Sequence, residues 1–92
     1  MKLQLKIEIK LMDLGEVGWD DAFKHSELLG KNWRLPTIGE LMVIYESGMI
    51  KSKDSYWSGS QNMKDYVWAI DFDGGRIFNY LKSFGNHVIV VR

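Results

Sequence analysis

His25 and His87 are the side chains of this sequence best suited to acid–base or metal chemistry near neutral pH. Either role needs carboxylates or a second histidine brought alongside in space. His25 has Asp21 and Glu27 nearby along the chain, an arrangement common on helix surfaces. His87 opens a strand-like run and is better placed for ligand contact. Asp71-Phe72-Asp73-Gly74-Gly75 begins like a calcium loop, but the remaining oxygen ligands of such a loop fall on Gly75 and Lys82, so a hairpin turn is expected there. Ser58-Gly59-Ser60 lacks the Gly-x-Ser-x-Gly frame of a nucleophile elbow. Asp73-Gly74-Gly75-Arg76 is too short for a phosphate cradle and leads into a strand instead of a helix. With no cysteine, disulfides, thiol nucleophiles and thiolate metal sites are excluded. No enzyme, metal or cofactor is expected.

The densest cluster, "KNWRLPTIGEL" at residues 31–41, reads as a joint. Pro36 disfavours helix at Leu35, so the chain stays extended until Thr37 opens a helix. Thr37 and Glu40 stand at capping-box spacing. Arg34 has donors for backbone carbonyls or a carboxylate. Trp33, Arg34, Pro36, Thr37, Glu40 and the later Trp57 are expected to be structural. Arg34→Ala should then lower thermal stability sharply and leave binding by the folded fraction intact.

Residues 2–11 alternate with period two, Leu3, Leu5, Ile7, Ile9 and Leu11 against Lys2, Gln4, Lys6, Glu8 and Lys10, which predicts a half-buried strand. The turn-like "DLGEVG" follows. Trp19, Ala22, Phe23, Ser26 and Leu29 then recur at helical spacing, with Asp20 and Asp21 at the helix start and Gly30 at its end. A second helix should run from Ile38 to about Ser47 with Gly48 as its stop, its apolar residues covering more than one stripe and predicting burial on two sides. "MIKSKDS" reads as a polar connector. From Tyr56 onward the pattern is strand and turn, "SYWSGS", "YVWAIDF", "RIFNYL" and "NHVIVVR", with Asp73-Gly74 as a strong hairpin signal. The expected class is α+β with an antiparallel sheet.

Ninety-two residues, 46% of them hydrophobic, suffice for one domain (1–92) with one core. Residues 1–46 hold six basic and eight acidic side chains and residues 47–92 six and four, so neither half shows the basic excess of a nucleic-acid binder. Charges interrupt the first residues before a secretory signal is built, no segment is long enough to span a bilayer, and a cytoplasmic setting is the expectation.

Trp19-x-x-Ala22, "WRLPT" at 33–37 with Glu40-Leu41, "YWS" at 56–58, Trp68, Asp73-Gly74 and "VVR" at 90–92 resemble, in that order, a bacterial and phage family of unknown biochemical function. The family includes the C-terminal domain of a collagen-like surface adhesin. The resemblance spans Val17 to Arg92 and implies a C-type lectin-like fold, with the first and last strands paired. Family members often carry cysteines where this chain has Ser26 and Val90, which places a secreted adhesin role in doubt. Formylglycine-generating enzymes share a "WRLPT"-like stretch, but their cysteine-dependent chemistry does not carry over. The Glu-Pro-Asn or Gln-Pro-Asp and Trp-Asn-Asp motifs of calcium-dependent lectins are also absent.

Aromatic residues crowd the second half, and both faces of the 66–81 hairpin are partly apolar, more than a sheet with one wet face requires. By the resemblance, ligand contacts are expected at Asp65, Tyr66, Asn79, Tyr80, Lys82, Asn86 and His87. The leading expectation is a non-enzymatic module that recognises a protein surface, with phage or prophage origin and a glycan ligand left open. The alternatives are a small intracellular inhibitor or adaptor of a host enzyme, of anti-defence type, and an oligomeric structural subunit.

Overall fold

A computed structural model describes residues 8–92, so residues 2–7 of the expected first strand lie outside the described residues. Strand β1 (Ile9–Val17) leads into helix α1 (Trp19–Leu28) and helix α2 (Ile38–Ser47). Strands β2 (Ser55–Met63), β3 (Tyr66–Asp71), β4 (Arg76–Leu81) and β5 (Asn86–Val91) follow. They form one sheet in the order β1-β5-β2-β3-β4. Three pairings are antiparallel, while β2 and β5 meet in parallel at Tyr56 and His87, so the sheet is mixed. The first and last strands pair with Ile9 opposite Val91 and Met12 opposite Val88.

"HVIVV" has no polar alternation because β5 is buried on both faces. Val88 and Val90 pack with Trp19 and Ala22 of α1, together with Trp57, Val67 and Ala69. Ile89 and Val91 pack with Leu41 and Ile44 of α2, together with Tyr56, Ile70 and Phe72. The two helices therefore cover opposite faces of one sheet. Helix α2 buries Leu41 and Ile44 completely and leaves Ile38, Met42, Val43 and Tyr45 half-buried, so it packs on one side and not on the two expected.

The "DLGEVG" segment is strand, not turn. Its pairing with β5 slips between Met12 and Val17, and Gly15 there adopts φ +69°, the left-handed backbone that a bulge requires. Leu11 lies opposite Ile89 as alternation demands, but α2 does not reach it and it stays 51% exposed.

Residues 34–36 enter where β2 and β5 diverge. Arg34 exchanges two backbone hydrogen bonds with Val91, at 2.9 and 2.8 Å, and Gly59 N–H donates to the Pro36 carbonyl at 2.7 Å. The segment thus closes a split in the sheet, satisfying backbone groups that would otherwise be orphaned. Thr37 then caps α2: its hydroxyl accepts from Glu40 N–H while the Glu40 carboxylate accepts from Thr37 N–H. Arg34 holds the same carboxylate with two bonds of 2.7 and 2.9 Å.

This geometry sets a smaller effect for Arg34→Ala than the sequence suggests. The Arg34 side chain is 48% exposed, and its two bonds to Val91 belong to the backbone, which alanine keeps. The expected loss is about 1 kcal/mol, the upper end for exposed pairs. The Arg34 hydrogen bonds hold the Glu40 carboxyl down at about 2 from an ordinary 4.5. Its folded-state value is lowered, so the stabilisation is present above pH 4.5 and is lost as pH falls from there toward 2. Thermal melts across that range should show a steeper acid decline for the wild type than for Arg34→Ala. Parallel curves would detach Glu40 from Arg34.

Candidate functional site

The residues expected to contact a ligand do not form one cluster. Asp65 and Lys82 lie near Asp20 and Ser83 at one end of the sheet. There the Lys82 carbonyl accepts from Trp19 N–H at 2.9 Å and the Lys82 ammonium sits 4.8 Å from the Trp19 ring centroid. Lys82 thereby anchors the start of α1. Tyr66 and Asn79 stand opposite Leu81 and Trp68 on the β3–β4 ladder and share the α2 face. Tyr80, Asn86 and His87 do converge.

Their meeting place is a groove of about 360 Å³ beside the α1 face, with no residue of that helix in its lining. Glu16 near the end of β1, Asp54 and Ser55 at the start of β2, and Asp71 and Asp73 around the end of β3 supply its walls. Tyr80 contributes its aromatic surface, held 6.1 Å from the buried Trp57 ring in an edge-on arrangement. Phe78 and Phe84 flank Tyr80 at 5.9 and 6.1 Å, both substantially exposed.

The groove is acidic. Its carboxylates are those of Glu16, Asp54, Asp71 and Asp73, against the single lysine Lys53. Asp71 also reaches Arg76 at 3.6 Å, and Asp54 reaches His87 Nε2 at 3.5 Å. Asp71 has a local task as well, accepting from Asp73 N–H at 2.8 Å, which makes the Asp71–Gly75 stretch a capped turn. Among the described residues no group of three or more His, Cys, Asp and Glu side chains is arranged to hold a metal ion.

Asn86 was expected as a surface contact; its side chain is 2% exposed and lines the groove from within. Its amide nitrogen has no hydrogen-bond partner among the described residues. A buried polar group without a partner costs about 1–3 kcal/mol, a cost that a ligand reaching Asn86 from the groove would remove. Sequence spacing marks Asp71 and Asp73 only as a turn and does not mark Glu16 or Asp54, because three separate chain segments bring the four together. No local spacing signals it.

Ser58 is fully buried and its hydroxyl donates to the Trp68 carbonyl, so the Ser58-Gly59-Ser60 stretch is structural. Trp57 is also fully buried and donates from Nε1 to the Val17 carbonyl at 2.7 Å. No helix among the described residues is long and apolar enough to cross a membrane.

Among solved structures the chain is similar to botrocetin, with a TM-score of 0.72 at 9% sequence identity, covering 99% of this chain and 93% of botrocetin. At that identity the likeness speaks for fold alone, and the fold is C-type lectin-like. A comparison with curated protein sequences found no match. The family model described as the Lcl C-terminal domain matches residues 8–92, from the pairing of Glu8 with Arg92 through both helices and all five strands. On that match the chain belongs to the Lcl C-terminal domain family.

Proposed function

We propose that this domain is a non-catalytic binding module whose acidic groove receives a basic segment of a protein partner. The observation that carries the reading is the buried Asn86 amide, left without a partner in a groove whose walls are carboxylates and whose aromatic surface is Tyr80. A guanidinium or ammonium group suits the carboxylates and the tyrosine ring, while the Asn86 amide can donate to a carbonyl of the same peptide. The lectin-like fold and the adhesin-type family support binding over catalysis.

An NMR titration of isotope-labelled protein with a short arginine-rich peptide, and with a glutamate-rich peptide of equal length, tests this. The basic peptide alone should shift Gly85, Asn86 and His87. The double variant Glu16→Gln/Asp73→Asn should weaken that binding by about tenfold, as expected when two rim charges of about 0.7 kcal/mol each are lost. Equal response to both peptides, or shifts confined to another surface, would overturn the proposal. A glycan that binds and is insensitive to the double variant would replace the protein reading with a sugar one.

A further inference from the structure

Strand β4 is the outermost strand on its side of the sheet. Lys82 N–H donates to the Asp65 carbonyl at 2.9 Å, which makes residues 65 and 82 a hydrogen-bonded pair. The β3–β4 register is regular from Tyr66 opposite Leu81 to Asp71 opposite Arg76. Alternation then turns the N–H and C=O groups of Arg76, Phe78 and Tyr80 toward β3. Those of Ile77, Asn79 and Leu81 point off the edge, and among the described residues no strand pairs with them.

Proteins guard such edges with proline, a bulge, or a charge in mid-strand. Ile77-Phe78-Asn79-Tyr80-Leu81 has none of these. Large apolar side chains are exposed on both faces, Ile77 at 46% and Phe78 at 38%. Charge appears only at the two ends, with Asp73 and Arg76 before the run and Lys82 after it.

We propose that β4 pairs with β4 of a second copy of this chain, antiparallel about a two-fold axis at Phe78. In that register Ile77 and Asn79 face Asn79 and Ile77 of the copy and form backbone hydrogen bonds. The two Phe78 rings meet at the axis, a pairing of the kind that stabilises sheets. Arg76 lies opposite the partner copy's Tyr80, a cation facing an aromatic ring. Lys82 lies opposite the Asp73-Gly74 turn of the copy, so reversal of the strand sets a lysine beside an aspartate at both ends of the joined edge. That end-to-end match selects a second copy of the chain as the occupant. Both binding grooves would open on the same side of the joined sheet, because Phe78 and Tyr80 share one face.

The chain has no cysteine, so single-cysteine variants give a clean reading. At a non-hydrogen-bonded antiparallel pair the Cα atoms lie about 4.5 Å apart, within disulfide span. Phe78→Cys should form a covalent dimer on mild oxidation far faster than Met63→Cys or Leu28→Cys, both at exposed positions away from β4. Light scattering of the wild type should show a mass rising from 10.7 kDa toward twice that value as concentration increases from micromolar to millimolar. Phe78→Lys, which sets like charges across the axis at an already exposed position, should keep the wild-type circular dichroism spectrum and stay monomeric. A wild type that remains monomeric at millimolar concentration overturns the proposal. So does cross-linking that is no faster at residue 78 than at residues 28 and 63, or a Phe78→Lys protein that still dimerises.

Discussion

Trp57→Ala is expected to abolish the cooperative thermal transition of the domain. The ring is fully buried among Trp19, Val67, Ala69 and Val88, where strand and helix contributions to one core meet. Removing a buried tryptophan or phenylalanine costs about 3–5 kcal/mol. The Val17 carbonyl also loses the indole donor that reaches it at 2.7 Å, a further 1 kcal/mol or more. Domains of this size hold about 5–10 kcal/mol in total, so little remains. Near-UV circular dichroism and calorimetry should both report the loss. Trp57→Phe keeps most of the packing but not the hydrogen bond, and should melt cooperatively about 10 °C below the wild type. If Trp57→Ala melts within a few degrees of the wild type, the core is not organised around this ring.

Gly75→Ala has the second-largest expected effect, about 2 kcal/mol or more, through two separable causes. Gly75 sits at φ +74°, where a side chain costs about 1 kcal/mol. A Cβ there would also stand 2.4 Å from Tyr45 Cε2 and 2.7 Å from Cζ. Tyr45 cannot simply swing away without losing its edge-on packing against Phe72 at 5.3 Å. A double-mutant cycle with Tyr45→Ala divides the causes. In the Tyr45→Ala background the glycine substitution should cost only the backbone part, about 1 kcal/mol. If the cost of Gly75→Ala is the same in both backgrounds, the ring is not the obstacle.

What the chain reveals in one dimension follows the range of each interaction. The Thr37–Glu40 cap, the Gly48 stop and the Asp73-Gly74 hairpin are contacts within a few residues, and each is present as its local spacing implies. The insertion of β5 between β1 and β2 is a contact across the whole chain, and only family resemblance hinted at part of it. Bulging at Gly15 misled for a physical reason, since a left-handed glycine inside a strand looks like one inside a turn. The groove was legible in fragments. Tyr80 and His87 carry side chains that draw attention anywhere, whereas Asp54 and Asp71 come to line one groove with Asn86 only when β2, β3 and β5 close on one another. Arg34 shows the opposite case: its side chain looked decisive, yet its backbone makes the longest-range connection in the cluster.

The place of β5 also bears on how the protein comes into being. Among the described residues it is the last of seven elements in chain order, yet it separates β1 from the β2–β3–β4 meander. A ribosome that has delivered everything through residue 85 has made two pieces of sheet with no strand to join them, and Leu41, Ile44 and Trp19 have only the β2 and β3 part of their floor to pack on. The nascent chain can form helices and the β3–β4 hairpin early, since these are local, but its core closes in one late step. Until then the apolar runs of β2 and β3 are open to other chains, and this window in synthesis is where aggregation competes with folding.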